Sequence, residues 1–199
     1  GMTFFAAVIR DITERKQAEE KIRYQAHFDL LTDLPNRNLF LKRLDETLAL
    51  VQRQNKRLAL LFVDLDRFKW VNDTLGHEAG DELLRQAAQR MKGCVRKSDT
   101  VARLGGDEFT LILFDVADSD STIRVVELIL KQLSTPFQLL GQEVSISGSI
   151  GVTFFPEDGS DRETLLRNAD HAMYVAKRSG RNAYWLFEPG QQESDTENG

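Results

Sequence analysis

Two adjacent carboxylates at a glycine turn are the residues in this sequence whose types and spacing most suggest chemistry. Residues 105–109, Gly-Gly-Asp-Glu-Phe, stand between apolar runs at 101–104 and 109–114, a pattern typical of a β-hairpin with a tight turn. Glycines there tolerate positive φ and allow a ligand close to the backbone. Neighbouring carboxylates repel each other unless water or a cation compensates them. The motif is therefore either a solvated turn or the floor of a nucleotide–metal site.

A second pair of carboxylates follows a segment that reads as a buried strand. Residues 58–63 are uninterruptedly apolar and lead into Asp64 and Asp66, which share a face because side chains alternate along a strand. If the hairpin lies beside this strand, Asp64 meets Asp107 and Glu108 in an oxygen cluster suited to Mg²⁺. In the alternative, Asp66 caps the next helix and Asp64 is a solvated strand end.

An amide and a carboxylate in the next segment could recognise a guanine. Asp81 could accept from N1–H and the 2-amino group, and Asn72 could donate to O6 or N7, with His77 between them in sequence. The competing interpretation makes Asp81 the N-cap of a helix that begins there and Asn72 part of an ordinary turn.

Basic residues near these groups could neutralise phosphates. Lys177 and Arg181 would share a face if one helix carried both. Gly180 indicates instead that the helix ends between them, which favours a solvated basic helix end. Lys69 follows Asp66 closely enough to reach the same phosphates.

The elements that must position these residues alternate between helix and strand. A short helix and a turn near Gly76 are expected after the first strand. The longer helices are expected over 37–54, from Asp81 onward, over 121–134 and over 161–179, and the remaining strands over 136–140, 143–155 and 182–187. Around an antiparallel hairpin this order predicts an α/β fold, in stricter terms α+β, in which helices cover one sheet.

We divide the chain into three parts. Residues 1–26 are interpreted as the end of an upstream domain, with a strand over 3–10, followed by a charged helix over about 14–27. Residues 27–187 form the globular domain, and the polar segment 188–199 is expected to be disordered.

Composition limits the function classes. A net charge of −5 over 199 residues argues against a large nucleic-acid-binding surface, though not against a local basic pocket. The single cysteine, Cys94, excludes an internal disulfide and fits the cytoplasm. No apolar run approaches the roughly 20 residues of a membrane span, so no direct membrane contact is expected. Any membrane tether would belong to a longer parent protein.

Together these motifs resemble the GGDEF family, the diguanylate cyclases, over roughly 28–187. The matching segments, in order, are 31–37, 64–73, 76–81, 103–109, 149–152 and 169–182. The resemblance implies a ferredoxin-like sheet of the nucleotidyl-cyclase and polymerase-palm type. It also implies a reaction in which two GTP condense into cyclic di-GMP and two pyrophosphates. Each subunit would hold one GTP, so catalysis would need a homodimer.

The resemblance also implies a role for each residue. Mg²⁺ or Mn²⁺ would be bound by Asp64, the Leu65 carbonyl, Asp107 and Glu108, and Asp107 would accept the proton of the attacking 3′-hydroxyl. The catalytic residues would be Asp107, Glu108 and Lys69. The substrate-binding residues would be Asn72, His77, Asp81, Gly105, Gly106, Lys177 and Arg181. In this set the amide and carboxylate would read guanine, the glycines would admit the nucleotide to the backbone, and the basic residues would neutralise phosphate.

Arg96 and Asp99 match the family's inhibitory Arg-x-x-Asp site, at the expected distance before Gly105. The implied ligand is the product, cyclic di-GMP, because arginine can stack on or chelate a guanine and Asp99 can accept from its N1–H. The secondary inhibitory arginine has no clear counterpart. Arg124 is the nearest candidate and is out of register.

Residues 4–26 resemble the end of a PAS sensor domain with its signalling helix, and 136–187 resemble cyclases fused to an EAL phosphodiesterase domain. A longer parent protein is therefore expected. Two functions are considered: an active cyclase regulated through the N-terminal helix, or a non-catalytic module that binds GTP or cyclic di-GMP and regulates a linked EAL domain. No named catalytic position departs from the family motif, which favours the first.

Overall fold

A computed structural model describes residues 21–189 of the chain. Residues 21–27 are helical, in agreement with the end of the charged helix expected over about 14–27. The strand expected over 3–10, the first turns of that helix and the tail from residue 190 lie outside the described residues.

Twelve helices and strands follow within the described residues. In chain order they are α1 Arg37–Gln54, β1 Leu58–Asp66, α2 Phe68–Leu75, α3 His77–Cys94, β2 Thr100–Gly105, β3 Glu108–Phe114, α4 Ser119–Ser134, β4 Phe137–Leu139, β5 Gln142–Val144, β6 Ser147–Phe155, α5 Arg162–Arg178 and β7 Ala183–Leu186.

Five strands form one mixed sheet in the order β2-β3-β1-β6-β7. The central strand, β1, is antiparallel to both neighbours, β3 and β6, whereas β7 runs parallel to β6. Strands β4 and β5 form a separate small hairpin. The mixed α+β fold expected from the sequence is confirmed.

The two faces of the sheet are covered by different helices. All of β1 is buried, and its side chains alternate between two apolar clusters. Leu61 and Val63 pack with buried residues of α3 and α4, whereas Leu60 and Phe62 pack with α1 and α5. By the same alternation, Asp64 lies on the face that α5 covers.

Side-chain caps fix where three of the helices begin. Asn36, Asp118 and Asp161 each accept a hydrogen bond from a backbone N–H three residues later, at the first turns of α1, α4 and α5. Such caps satisfy donors that have no partner inside the helix. Within 21–189, no helix combines the length and apolarity needed to span a membrane.

Two expected boundaries were wrong. Helix α3 begins at His77, not at Asp81, because Gly76 ends α2 at φ 87° and begins the next helix directly. The strand expected over 143–155 is two strands, because the chain leaves the small hairpin after Val144 and β6 joins the main sheet beside β1.

Candidate active site

The end of β1 meets the hairpin turn, which is the arrangement on which the metal-site interpretation of the sequence depends. Asp64 lies directly opposite Glu108 in the register of β1 and β3. Asp107 lies in the turn between β2 and β3, and its carbonyl accepts a hydrogen bond from the Leu65 N–H at 3.3 Å. The turn is therefore fastened to the strand whose carboxylate it faces.

Asp64 is a buried carboxylate with incomplete compensation. Its exposed fraction is 6%, so a solvated strand end was the wrong alternative. Lys177 Nζ lies 2.7 Å from Asp64 Oδ2. Burial, together with the charges of Asp107 and Asp66, nevertheless raises the pKa of Asp64 from 3.8 to about 6, against the hydrogen bond from Lys177. The contact with Lys177 therefore does not fully offset the cost of burying the Asp64 charge.

This donor set fits a hard divalent cation held in an open site. Among residues 21–189, no three acidic, histidine or cysteine side chains converge as a ready-made metal cage. Mg²⁺ in nucleotide sites uses one or two protein carboxylates and takes its other ligands from water and phosphate. The under-compensated Asp64, with Glu108 opposite it and Asp107 nearby, meets that smaller requirement.

Asp66, two residues further along β1, is fully engaged within the protein. It is 3% exposed, and it accepts hydrogen bonds from Ser147 Oγ at 2.6 Å, Ser149 Oγ at 2.8 Å and the Asn182 N–H at 3.1 Å. The N-cap of α2 is Arg67, which makes no side-chain capping hydrogen bond. The alternative in which Asp66 caps this helix was therefore also wrong. Asp66 joins β1 to β6 and to the start of β7.

The two basic residues reach the carboxylates without sharing a helix. Helix α5 ends at Arg178, and Gly180 and Arg181 both adopt positive φ, 119° and 64°. Arg181 Nε nevertheless lies 3.9 Å from Asp66 Oδ1, close to where Lys177 contacts Asp64. The left-handed turn after the helix brings Arg181 back toward the sheet.

The expected guanine-reading residues lie on two helices that pack together. Asn72 is on α2, and Asp81 and His77 are exposed on α3. A Cβ on Gly80 would lie 1.9 Å from Asn72 Oδ1, so only glycine permits this approach. The amide therefore lies beside the turn of α3 that carries Asp81. Lys69 is exposed on the first turn of α2.

The glycine turn is open, and one side chain holds its backbone. Gly105 and Gly106 are exposed at φ 151° and 52°. The Gly106 carbonyl accepts from Arg103 Nε at 3.0 Å and from Arg103 Nη2 at 2.8 Å. Sequence analysis missed Arg103, together with Ser147 and Ser149. The available signal was a charged residue within an otherwise apolar strand.

Arg96 and Asp99 lie together at the opposite end of β2 from the glycine turn. Asp99 accepts from the Arg96 N–H at 2.9 Å and from the Phe114 N–H at 3.1 Å. Both residues line a cavity of about 140 Å³ that includes Cys94 and Thr122. Arg96 is exposed, whereas the Asp99 carboxylate already stabilises the turn.

Comparison with known proteins gives one family. The family described as diguanylate cyclase, GGDEF domain, matches residues 26–183. In Pseudomonas aeruginosa, the bifunctional diguanylate cyclase/cyclic di-GMP phosphodiesterase MucR is 44% identical over 176 residues, or 88% of this chain and 26% of MucR. The diguanylate cyclase TpbB is 44% identical over 168 residues, or 84% of this chain and 39% of TpbB. The chain thus spans well under half of these curated relatives.

Solved structures of GGDEF domains are similar to this chain in fold. The GGDEF domain of TpbB from Pseudomonas aeruginosa superposes with a TM-score of 0.80 at 44% identity, covering 81% of this chain and 95% of that one. The coiled coil and GGDEF domain of DgcB from Caulobacter crescentus, in complex with c-di-GMP, gives 0.78 at 28% identity, covering 88% and 93%.

Proposed function

The chain belongs to the GGDEF family of diguanylate cyclase domains, and on that premise we propose that it condenses two GTP into cyclic di-GMP and two pyrophosphates. The observation that carries the proposal is Asp64. It is buried, its pKa is raised to about 6, and it stands opposite Glu108 beside the turn that bears Asp107. A buried carboxylate of this kind is unfavourable when ionised, and a bound divalent cation would compensate its charge.

We assign Mg²⁺ or Mn²⁺ to Asp64, the Leu65 carbonyl, Asp107 and Glu108. When bound, such an ion supplies charge neutralisation for the phosphates and for the developing charge of phosphoryl transfer. The residues that would hold it come from a central strand and a hairpin turn joined by the Leu65 N–H to Asp107 carbonyl hydrogen bond. Their relative placement is therefore set by the sheet.

The chain's own side chains supply the remaining steps. Asp107 accepts the proton of the attacking 3′-hydroxyl. Lys177 and Arg181 lie beside the carboxylates of β1 and bind triphosphate oxygens. Lys69 neutralises charge on the transferred phosphate. Glu108 is the second catalytic carboxylate. Phosphoryl transfer depends mainly on such positioning and electrostatic stabilisation.

Guanine selection falls to the packed pair of helices α2 and α3. The Asn72 amide donates to O6 or N7, and Asp81 accepts from N1–H and the 2-amino group. His77 is the first residue of α3 and follows the N-cap residue Gly76. A second nucleotide must supply the attacking hydroxyl, so catalysis requires two copies of the chain facing each other.

Product inhibition is proposed for Arg96 and Asp99. DgcB, a structural neighbour, is described in complex with c-di-GMP, which supports the same ligand class here. Arg96 is exposed and free to stack on a guanine or grip its acceptors, while Asp99 keeps the turn in shape.

The wider setting is also a proposal. We infer that residues 1–26 are the end of a PAS domain with a signalling helix, that 27–187 form the output domain, and that both belong to a longer cytoplasmic protein. The name of MucR, which combines a diguanylate cyclase with a cyclic di-GMP phosphodiesterase, supports a phosphodiesterase domain in such a protein.

A non-catalytic regulatory module is the second candidate. Its support is the cyclic di-GMP phosphodiesterase PdeR of Escherichia coli, 39% identical over 179 residues, or 90% of this chain and 27% of PdeR. This function would use the same nucleotide site for binding without turnover.

Incubation with GTP and Mg²⁺, at several protein concentrations, tests the two candidates. We expect cyclic di-GMP by chromatography, with a rate that rises more steeply than protein concentration because two chains form one site. Samples with EDTA in place of Mg²⁺ are the control. Normal GTP binding with no product at any concentration would overturn the cyclase and favour the regulatory module.

A further inference from the structure

One arginine joins the glycine turn to the N-terminal end of the domain. Arg103 donates from Nε and Nη2 to the Gly106 carbonyl, at 3.0 and 2.8 Å. Its Nη1 donates to both carboxylate oxygens of Asp29, at 3.0 and 2.9 Å. The Arg103 side chain is 12% exposed, and the Asp29 side chain is 22% exposed. Four hydrogen bonds from one planar group fix both partners relative to each other.

The Gly106 end of this contact is next to the proposed chemistry. The carbonyl that Arg103 holds belongs to the peptide that joins Gly106 to Asp107. The following carbonyl, of Asp107, is held by the Leu65 N–H. Two successive peptides of an otherwise open turn are thus anchored, one by β1 and one by Arg103. The direction of the Asp107 side chain depends on both anchors.

The Asp29 end is next to helical residues 21–27. Asp29 also accepts from the Thr32 N–H and hydroxyl, at 2.9 and 2.6 Å. The His27 carbonyl accepts from the Asn36 N–H at 2.9 Å, and the Tyr24 and Phe28 rings stack with centroids 4.6 Å apart. The end of the helix, the 28–36 loop and Asp29 therefore form one hydrogen-bonded unit.

The backbone adds a second attachment between the same regions. The Arg103 N–H donates to the Pro35 carbonyl at 3.0 Å, and Phe28 bridges to Pro35. A displacement of the 28–36 loop cannot leave β2 unaffected, because main chain and side chain of Arg103 both contact it.

We propose that Arg103 is a positioning residue for Asp107, and that the Asp29–Arg103–Gly106 contact carries the position of the entering helix to the catalytic turn. This inference rests on the proposed cyclase function for its kinetic consequence. The structural consequence, order in the turn, does not depend on that function. Loss of the contact leaves the nucleotide-binding residues of α2, α3 and α5 in place and disorders only the turn.

Arg103→Lys tests the positioning role, because lysine keeps the charge but cannot bond both partners through a planar fork. We expect kcat to fall by about tenfold to 10²-fold while the GTP KM changes by less than about threefold, as for a small misplacement of a reacting group. Amide hydrogen exchange of peptides covering 104–109 should quicken. Asp29→Asn should give smaller changes in the same direction, and the double variant should be less than additive.

Arg90→Lys is the matched control. Arg90 also donates to several backbone carbonyls, those of Gln132, Thr135 and Pro136, but far along α3 from the turn. We expect it to lower the free energy of unfolding without changing kcat or exchange at 104–109. Equal kcat losses in the Arg90 and Arg103 variants at equal destabilisation would make Arg103 a merely structural residue.

Hydrogen exchange and turnover together separate this inference from the proposed function. Unchanged exchange at 104–109 in Arg103→Lys, with normal turnover, would overturn the inference and leave the cyclase standing. Faster exchange at 104–109 in Arg103→Lys, in a protein whose wild-type form makes no product, would support the positioning contact and overturn the cyclase. Unchanged exchange in Asp29→Asn would refute the link to the helix.

Discussion

Acidic residues near the two ends of strand β2 have different surroundings. At one end Asp99 accepts two backbone N–H groups, from Arg96 and Phe114. Near the other end lies Asp64 of strand β1, which is buried beside two carboxylates and whose pKa is raised to about 6 despite Lys177. A carboxylate satisfied by backbone donors stabilises the local fold, whereas a buried carboxylate with incomplete compensation is a candidate for binding a cation. Resemblance to a motif does not distinguish these cases, but hydrogen-bond partners do.

Asp107→Asn should produce the largest effect, at the catalytic end. The amide keeps the shape of the side chain but cannot accept a proton, so we expect kcat to fall by at least about 10³-fold, near the upper range for a general base. The free energy of unfolding should change by less than about 0.5 kcal/mol, as for a surface substitution. Steady-state product formation and urea unfolding measure both. Turnover near the wild-type level would refute the role given to Asp107.

The stability of the protein should depend on pH through Asp64. Because burial raises the pKa of Asp64 from 3.8 to about 6, its contribution to stability is present below 3.8 and is lost as pH rises through 6. At pH 7 without divalent cation, Asp64→Asn should therefore stabilise the protein by about 2–3 kcal/mol, at roughly 1.4 kcal/mol per pKa unit.

Urea unfolding in EDTA at pH 4 and pH 7 measures this change for the variant and the wild type. The gain should vanish at pH 4, where Asp64 is protonated. A destabilised Asp64→Asn at pH 7 would mean that Lys177 compensates the carboxylate fully, and the contrast with Asp99 would disappear.

Asp99→Ala should lower the free energy of unfolding, whereas Asp64→Asn should raise it. Removal of an acceptor for two backbone N–H groups should cost about 1–2 kcal/mol of unfolding free energy, with product formation at low product concentration changed by less than about twofold. Thermal unfolding and initial rates provide the test. A variant as stable as the wild type would show that the Asp99 turn does not depend on its carboxylate.

Arg96→Ala should have the smallest effect on the protein itself. The side chain is exposed, so stability should change by less than about 0.5 kcal/mol, while inhibition by added cyclic di-GMP should be lost. Initial rates with increasing product distinguish the variant from the wild type. Unchanged inhibition would remove Arg96 from the proposed site and leave the 96–99 turn a purely structural one.

Local pattern was sufficient for much of the fold. The α1 boundaries, 37–54, were predicted correctly because apolar periodicity and the Asn36 cap agree. The hairpin at 105–109 was predicted from glycines between apolar runs, and its pairing with β1 then followed for Asp64.

What the sequence could not provide depends on contacts between distant residues or on unusual backbone. Arg103 and Asp29 are 74 positions apart, and no local pattern links them. Helix α3 begins at His77 with no side-chain cap, because Gly76 replaces one. Arg181 returns to the sheet through a left-handed turn that a helical pattern does not predict.

Gly80 illustrates how a substitution can act on a residue that it does not replace. Any side chain there would begin 1.9 Å from Asn72 Oδ1, so every substitution displaces the amide. A substitution at position 80 therefore acts through Asn72, although Gly80 offers no group to a nucleotide. Under the role proposed for Asn72, base selectivity would depend at position 80 on the absence of a side chain.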